Sequence, residues 1–343
     1  MHQLTAVYLI AEECDKDVVW RLSYPSITDK RRSYIRHKLR CDFDITNCFN
    51  FYHFDDRWFY GRSFLSTTCD TKKWFLFLET SEFNPEKYKS LAEVLCAVFA
   101  KTGDLKSLMH TYLNAFIDGR VSFEKLTFIA ENCEQKKMMS MNCPFKQIIT
   151  MFGVDIILVY TALILKQRIA VYHHTNENLL QFVTSLPCFV WHRLNWDQIL
   201  YPTVNVNSKE DMNEIRCHNH FIAGFTNSNI ESRTDLYDVF VNLAAVEITV
   251  ANHAKEIFAM TKTHKEIAMF MKRLSENEST TDLDVIKQVS LKTLELIDNL
   301  KSLCSNGEYG DALSKTALEE KKLGTALESF LKRLAVAENL KLT

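Results

Sequence analysis

The chain has 343 residues, of which 47% are hydrophobic and 24% charged, with 41 Lys and Arg set against 43 Asp and Glu. This length suggests two domains and is ample for a sizeable core, and the near-neutral balance removes any global electrostatic pull toward nucleic acid. The composition is that of an ordinary soluble globular protein, so a partner has to be recognised locally.

In chain order, residues 4–80 read mainly as strands: "TAVYLIAE", "DVVWRLSYPS", "CFNFYHF", "WFYGRSFLS" and "KKWFLFLE", the middle two joined through Asp55 and Asp56. One helix interrupts them near Asp29 to Arg40. A second, "NPEKYKSLAEVLCAVFAK", follows the last strand, with Asn84 as its cap and Pro85 at its first position. An antiparallel sheet with helices is the simplest description. Around Glu131 to Pro144 polarity rises and periodicity is lost, which predicts a loop between two lobes or just inside the second.

The most apolar stretch, "GVDIILVYTALILKQRIAVYHH" (Gly153 to His174), poses a choice between a bilayer span and a buried core. A spanning helix needs about 20 apolar residues, and the clean run from Ile156 to Leu165 is too short. Lys166, Gln167 and Arg168 sit where a buried helix ends, since cations suit the negative end of its dipole. The pattern predicts a helix over 145–167, a tight turn and a strand over 168–173. An uninterrupted apolar strand requires a sheet covered on both faces. Beyond it the sequence predicts a helix from Glu177 to Leu186 and strands in "ILYPTVNV", "HFIAGFT" and "LYDVFVNLA", a mostly parallel sheet. Helices follow near 250–274, 282–303 and 311–341, with "SENESTTD" and "CSNGEYGD" as solvated loops.

Few of the usual chemical signatures are present. The 8 Gly and 5 Pro are sparse, and no Walker A, G-x-G-x-x-G, G-x-S-x-G or H-E-x-x-H pattern occurs. No catalytic residue, cofactor or metal is expected. The ten cysteines form no C-x-x-C pair, and the N-terminus lacks a basic region and a cleavage site, which points to a reducing compartment and unpaired, mostly buried thiols. "CHNH" (Cys217 to His220) would put His218 and His220 on one face of a strand, but no second cluster stands near it, so a loop is the preferred reading. "YHH" at 172–174 reads as a strand leaving the core. "DKRRSYIRHKLR" (Asp29 to Arg40) is read as a solvated helix face, or as a contact for an acidic membrane surface or acidic partner. "VVWRLSYPS" would place Trp20, Leu22 and Tyr24 on one face of a strand, either in the core or at a partner-binding edge.

The strings "ALILKQRIAVYHH", "LPCFVWHRLNWDQIL", "HFIAGFTN" and "DLYDVFVNLA", in this order and spacing, resemble the central block of DENN domains. "SYPS" and "SEFNPEKYKSLAEVLC" resemble the longin-like upstream module of that family's smallest member. The resemblance covers nearly the whole chain. It implies a bilobed α/β fold (α+β overall), with a longin-like lobe over 1–130, a central α/β lobe over 131–234 and a mainly helical downstream segment over 235–343. Arg168, Trp191, Gly224, Asp235 and Asp238 match the family pattern, mostly as architecture; Arg168, Asp235 and Asp238 either pair with one another or line the cleft where the family binds its GTPase. The implied function is nucleotide exchange on a Rab GTPase of the late endosomal and secretory pathway, by binding and without covalent chemistry. The alternative is a non-catalytic adaptor that meets coiled-coil subunits of the Commander endosomal recycling assembly. Either implies a cytoplasmic protein recruited to late endosomes, peripheral at membranes and not bound to nucleic acid.

Overall fold

The computed structural model describes residues 4–13, 17–42, 47–66, 73–132, 143–193, 196–307, 310–313 and 324–342. Contacts divide the chain into two units, Met1–Met141 and Asn142–Thr343. The expected limit at 234/235 falls inside the second unit, because a strand just beyond it belongs to that unit's central sheet. Most of the loop expected over 131–144 lies outside the described residues.

In the first unit, β1 (Leu4–Glu12), β2 (Val18–Tyr24), β3 (Phe49–Phe54), β4 (Arg57–Leu65) and β5 (Lys73–Thr80) form a sheet of order β2-β1-β5-β4-β3. Every pair is antiparallel, as expected. Asp55 and Asp56 both take positive φ between β3 and β4, the conformation whose twist suits a two-residue hairpin. Both faces of the sheet are covered. Helix α1 (Asp29–Asp42) lays Tyr34, Ile35 and Leu39 against Tyr8, Ile10, Phe75 and Phe77. Helix α2 (Pro85–Thr102) lies on the other face, with Tyr88 stacked on Tyr60 and Phe99 against Trp74. As the sequence indicates, Asn84 caps α2 by accepting the Lys87 N–H at 3.2 Å, and Gly103 ends it at φ 62°. Helix α3 (Leu105–Asp118) and the hairpin β6 (Arg120–Phe123) and β7 (Leu126–Ile129) complete the unit.

The second unit opens with α4 (Phe145–Phe152) and α5 (Ile156–Ile164), where one helix over 145–167 was expected. The break is at Gly153, whose φ of 57° and ψ of −127° lie outside the helical range, and a short 3-10 turn covers Gly153–Asp155. By length and composition Phe145–Ile164 is apolar enough to cross a membrane, yet nearly all of α5 is buried within this unit, as a core helix is. The helix closes on Lys166 in the left-handed region: Lys166 N–H reaches the Leu163 carbonyl at 3.2 Å and Gln167 N–H the Ala162 carbonyl at 2.8 Å.

Then follow β8 (Arg168–Tyr172), α6 (Asn176–Ser185), β9 (Leu200–Tyr201), α7 (Lys209–Arg216), β10 (Phe221–Phe225), β11 (Val239–Asn242) and β12 (Glu247–Val250). Their sheet has the order β12-β11-β8-β10-β9 and is parallel except for the β11–β12 hairpin, which agrees with the mostly parallel expectation. The strand expected over "ILYPTVNV" shrinks to two residues, since Pro202 has no N–H to donate. Gly224 sits in β10 where a methyl group would lie 2.2 Å from the Pro202 carbonyl oxygen and 3.1 Å from Leu179 Cγ.

Helices α8 (Lys262–Glu276) and α9 (Asp282–Lys301) come next. The segment expected to be a loop at "CSNGEYGD" instead carries β13 (Cys304–Gly307) and β14 (Gly310–Leu313), so the helix expected from 311 is α10 (Thr325–Ala337), followed by β15 (Lys341–Leu342). Helix α8 begins with an unusual reciprocal cap. His264 Nδ1 accepts from Thr261 Oγ1 at 2.7 Å and Thr261 N–H at 3.2 Å, while His264 N–H donates to Thr261 Oγ1. The ring is buried against Phe330 of α10, and burial pushes its pKa down to about 4.

Two outcomes follow from these contacts. Gly224→Ala should cost roughly 3 kcal/mol, read as a lower denaturation midpoint, because the clash is with backbone. His264 is neutral when folded and protonates near 6.5 when unfolded, so its stabilisation is complete above that pH and is lost as pH falls toward 4. Chemical denaturation across this window should show a loss on the order of 3 kcal/mol that His264→Gln, which retains an acceptor, largely removes.

Candidate functional site

Strands β8 and β11 run parallel with Ile169 opposite Val239, which sets Arg168 beside Asp238 at the N-terminal end of the sheet. The backbone fixes this first: Asp238 N–H donates to the Arg168 carbonyl at 2.9 Å. The side chains then close on each other. Arg168 Nε reaches Asp238 Oδ2 at 3.1 Å and Nη2 reaches Oδ1 at 2.8 Å, a two-bond fork suited to guanidinium and carboxylate. The Arg168 N–H donates to Oδ2 at 2.9 Å, and His253 Nε2 lies 2.9 Å from Oδ1. The same ring nitrogen lies 3.2 Å from Arg168 Nη2, so His253 touches both members of the pair.

Asp238 thus has all four of its acceptor directions occupied. Burial pushes its carboxyl up, but the hydrogen bonds from Arg168 and His253 outweigh this and hold it below the usual range. The Asp238 hydrogen bonds likewise raise the Arg168 pKa and keep it charged. The third guanidinium nitrogen, Nη1, donates to the Asp235 carbonyl at 3.0 Å. The Asp235 carboxylate faces away, is exposed, and pairs with Arg233 at 3.2 Å and Arg216 at 3.6 Å. Hydrogen bonding from Arg233 holds it low. The three residues picked from the sequence therefore sit together. Arg168 and Asp238 form a clamp on two strand ends, and Asp235 presents the outward charge.

Trp20, Leu22 and Tyr24 do not form the expected single stripe. A bulge between Leu9 and Ile10 of β1 shifts the register of β2, so Trp20 lies opposite Ile10 while Leu22 and Tyr24 lie opposite Leu9 and Val7. Ile10 and Leu9 point to opposite faces. Trp20 accordingly packs in the α1 layer, its ring 5.8 Å from Tyr8 and under the Arg32 guanidinium. Tyr24 sits on the α3 side, edge-on to Tyr112, with 47% of its surface exposed at the end of an edge strand.

The basic helix α1 is mostly committed inward. Lys30 and Arg31 pair with Asp55, Arg31 also with Glu79, and Lys38 is buried over Tyr34 and Tyr52; the exposed cations of the helix are Arg36, Arg40 and the paired Lys30. The "CHNH" segment is irregular, so the histidines share no strand face, and His218 Nε2 meets the Tyr201 hydroxyl at 2.6 Å. His173 of "YHH" is buried just past β8, taking the Thr175 N–H on Nδ1 at 2.9 Å. Trp191, matched to the family as architecture, is 38% exposed. Its neighbour Arg193 went unremarked in the sequence; its only signal was an Arg inside the Trp-containing string.

The family model described as stabilization of polarity axis (SPA) matches residues 142–252, which hold the whole of this parallel sheet. Three similar proteins carry the name DENN domain-containing protein 10. That of Danio rerio is 35% identical over 347 residues, covering 97% of this chain and 96% of that protein. The human protein is 33% identical over 346 residues (98% and 96%), and the Dictyostelium discoideum protein 31% over 360 (98% and 97%). The mixed α/β architecture and these matches make the chain a DENN-type protein. Within that class it belongs to the DENN domain-containing protein 10 family.

If Arg168 and Asp238 act as one clamp, a double-mutant cycle reports it. Arg168→Ala and Asp238→Ala should each destabilise by about 3 kcal/mol, and the double variant should fall short of their sum by about 1 to 3 kcal/mol. Additive losses would show that the two residues act separately.

Proposed function

We propose that the chain is a guanine nucleotide exchange factor for a Rab GTPase of the late endosomal and secretory pathway. The observation that carries this reading is family membership over almost the full length of DENN proteins from vertebrates and Dictyostelium. The chemistry of the Arg168–Asp238 cluster is compatible with it: the Asp238 acceptors and the Arg168 fork are engaged internally, so the cluster offers shape and the Asp235 charge in place of a proton-transfer group. Exchange then works by competition, the protein binding the nucleotide-free GTPase more tightly than the loaded form. The protein acts in the cytoplasm, is recruited to late endosomes, and associates with membranes peripherally.

A second reading, a non-catalytic adaptor for coiled-coil subunits of an endosomal recycling assembly, is favoured by Tyr24. It is a large exposed aromatic at the end of β2, a strand with an unpaired edge.

Release of fluorescent GDP from a panel of late endosomal and secretory Rabs, measured with and without the protein, separates the two. Linkage requires that the fold by which nucleotide affinity drops equal the fold by which the protein prefers nucleotide-free GTPase. Matching ratios on at least one Rab, with a several-fold loss of rate in Asp235→Ala, are expected. Equal affinity for both forms on every Rab, with no acceleration, removes the exchange reading and leaves the adaptor.

A further inference from the structure

The other end of the second sheet carries a pocket that the exchange reading does not use. Its volume is about 170 Å³, and it is lined by Pro144, Gln147, Ile148, Met151, His173, Asn178, Gln181, Phe182 and Leu243. His173 directly follows β8 and Leu243 directly follows β11, two adjacent parallel strands held together there by the Leu243 N–H on the Tyr172 carbonyl at 3.0 Å. After β8 the chain turns through α6 toward β9 at one edge; after β11 it turns into β12 at the other. Neighbouring strands whose connections leave in opposite directions open a crevice past their carboxyl ends, and this is where open α/β sheets take ligands.

The lining specifies the ligand. Ile148, Phe182 and the His173 ring form a buried floor, with Leu243 half-buried beside them. Gln147, Asn178, Gln181 and Met151 are exposed and form the rim, from α4 on one side and α6 on the other. The three carboxamides make no side-chain hydrogen bond to the described residues, so each offers a donor and an acceptor outward. No lining side chain is Asp, Glu, Lys or Arg, which disfavours phosphates, carboxylates and ammonium groups, since a charge brought into such a site lacks a partner. A cavity of about 150 Å³ holds a benzene-sized group, so this one takes a single side chain. An apolar floor with an uncharged rim of paired donors and acceptors matches one apolar residue flanked by peptide groups.

We propose that this pocket is a peptide-anchor site, taking one aliphatic or aromatic side chain from an extended, uncharged segment of a partner protein, with the carboxamides of Gln147, Asn178 and Gln181 holding the flanking peptide groups. Met151, flexible and exposed at the rim, adapts to the shape of the anchor.

The test is methyl-detected NMR on the full chain labelled at Met and Ile, titrated with N-acetyl-leucinamide. Saturable shifts of the Met151 and Ile148 methyls are expected, weakened several-fold by Gln181→Ala; in Met151→Lys the Ile148 shift should be abolished, and the remaining methyl signals of both variants should be unmoved. Isobutanol, which has the side chain without the peptide groups, should bind several-fold more weakly, and N-acetyl-aspartamide should not bind. Absence of a saturable shift overturns the proposal. So does isobutanol binding as tightly as the amide with no effect of Gln181→Ala, which would make the cavity a plain apolar void. Tight binding of the charged probe overturns it as well.

Discussion

Burying a helix that is apolar on nearly every side leaves the carbonyls of its last turn in the interior, and the guanidinium of Arg193 meets that demand in the second unit. Its Nη1 donates to the Leu163 carbonyl at 2.7 Å and its Nη2 to the Ile164 carbonyl at 2.6 Å. The positive charge also faces the negative end of the α5 dipole. A half-buried guanidinium gains from a counter-charge, and Glu338, just past α10, supplies it. Burial pushes that carboxyl up, but hydrogen bonds from His192 and Arg193 bring it down to about 2. One cation therefore joins the core helix, the turn after α6 and the far C-terminal helix, which share no sequence neighbourhood. With α5 so terminated, the chain is free to reverse at Lys166 and enter β8, the central strand on which β10 and β11 assemble.

The first unit solves the matching problem for a sheet covered on both faces. Glu79 lies in β5 and is almost fully buried, yet accepts the Tyr8 hydroxyl at 2.6 Å and Arg31 Nη1 at 2.7 Å. Arg31 reaches it from α1 and also holds Asp55 in the β3–β4 turn, so one basic side chain ties the helix to the middle and the end of the sheet. Further along, Lys87 and Tyr88 of α2 both converge on Glu82. In each case a carboxylate that would be costly alone is paired with a cation and a hydroxyl, and breaking one partner would expose the cost of the other. These pairs add directional contacts that fix the registry of helix on sheet alongside the aromatic packing.

How far the sequence reveals this depends on whether a signal is local. Asn84 and Pro85 mark a helix start within four residues, and the strands cited here from the first sheet are runs of six to nine residues rich in aromatic side chains. Both were legible. Helix α3 was equally local, with Asp104 as its cap and Leu108, Tyr112 and Ala115 at helical spacing, and went unassigned because nothing about it was unusually apolar. Gly153 was visible too, but a glycine inside an apolar run does not announce its dihedrals. Other features were out of reach in principle. The bulge that turns Trp20 away from Leu22 and Tyr24 depends on the partner strand, and one shifted residue moves a side chain to the opposite face. That Arg168 pairs with Asp238, 70 residues away, follows only from strand order. The family resemblance brought the two residues into one list; the parallel register gave the pairing its reason.

The two ends of the second sheet are chemical opposites, and this bears on what each can bind. At the amino ends of β8 and β11, Asp238 is surrounded by donors and Arg168 has spent its fork, and Asp235 with its arginines presents exposed charge. A partner meeting that end meets fixed charge on a rigid frame, which favours speed of encounter and orientation over depth of contact. At the carboxyl ends the strands diverge into α6 and β12, the rim carries the carboxamides of Gln147, Asn178 and Gln181, and Ile148 and Phe182 lie in the floor. Binding there draws on desolvated apolar area with directional amide contacts, the basis of hot-spot anchoring. A single parallel sheet thereby offers two surfaces with different physics, so two partners of different chemistry can be held by one unit without competing for the same groups.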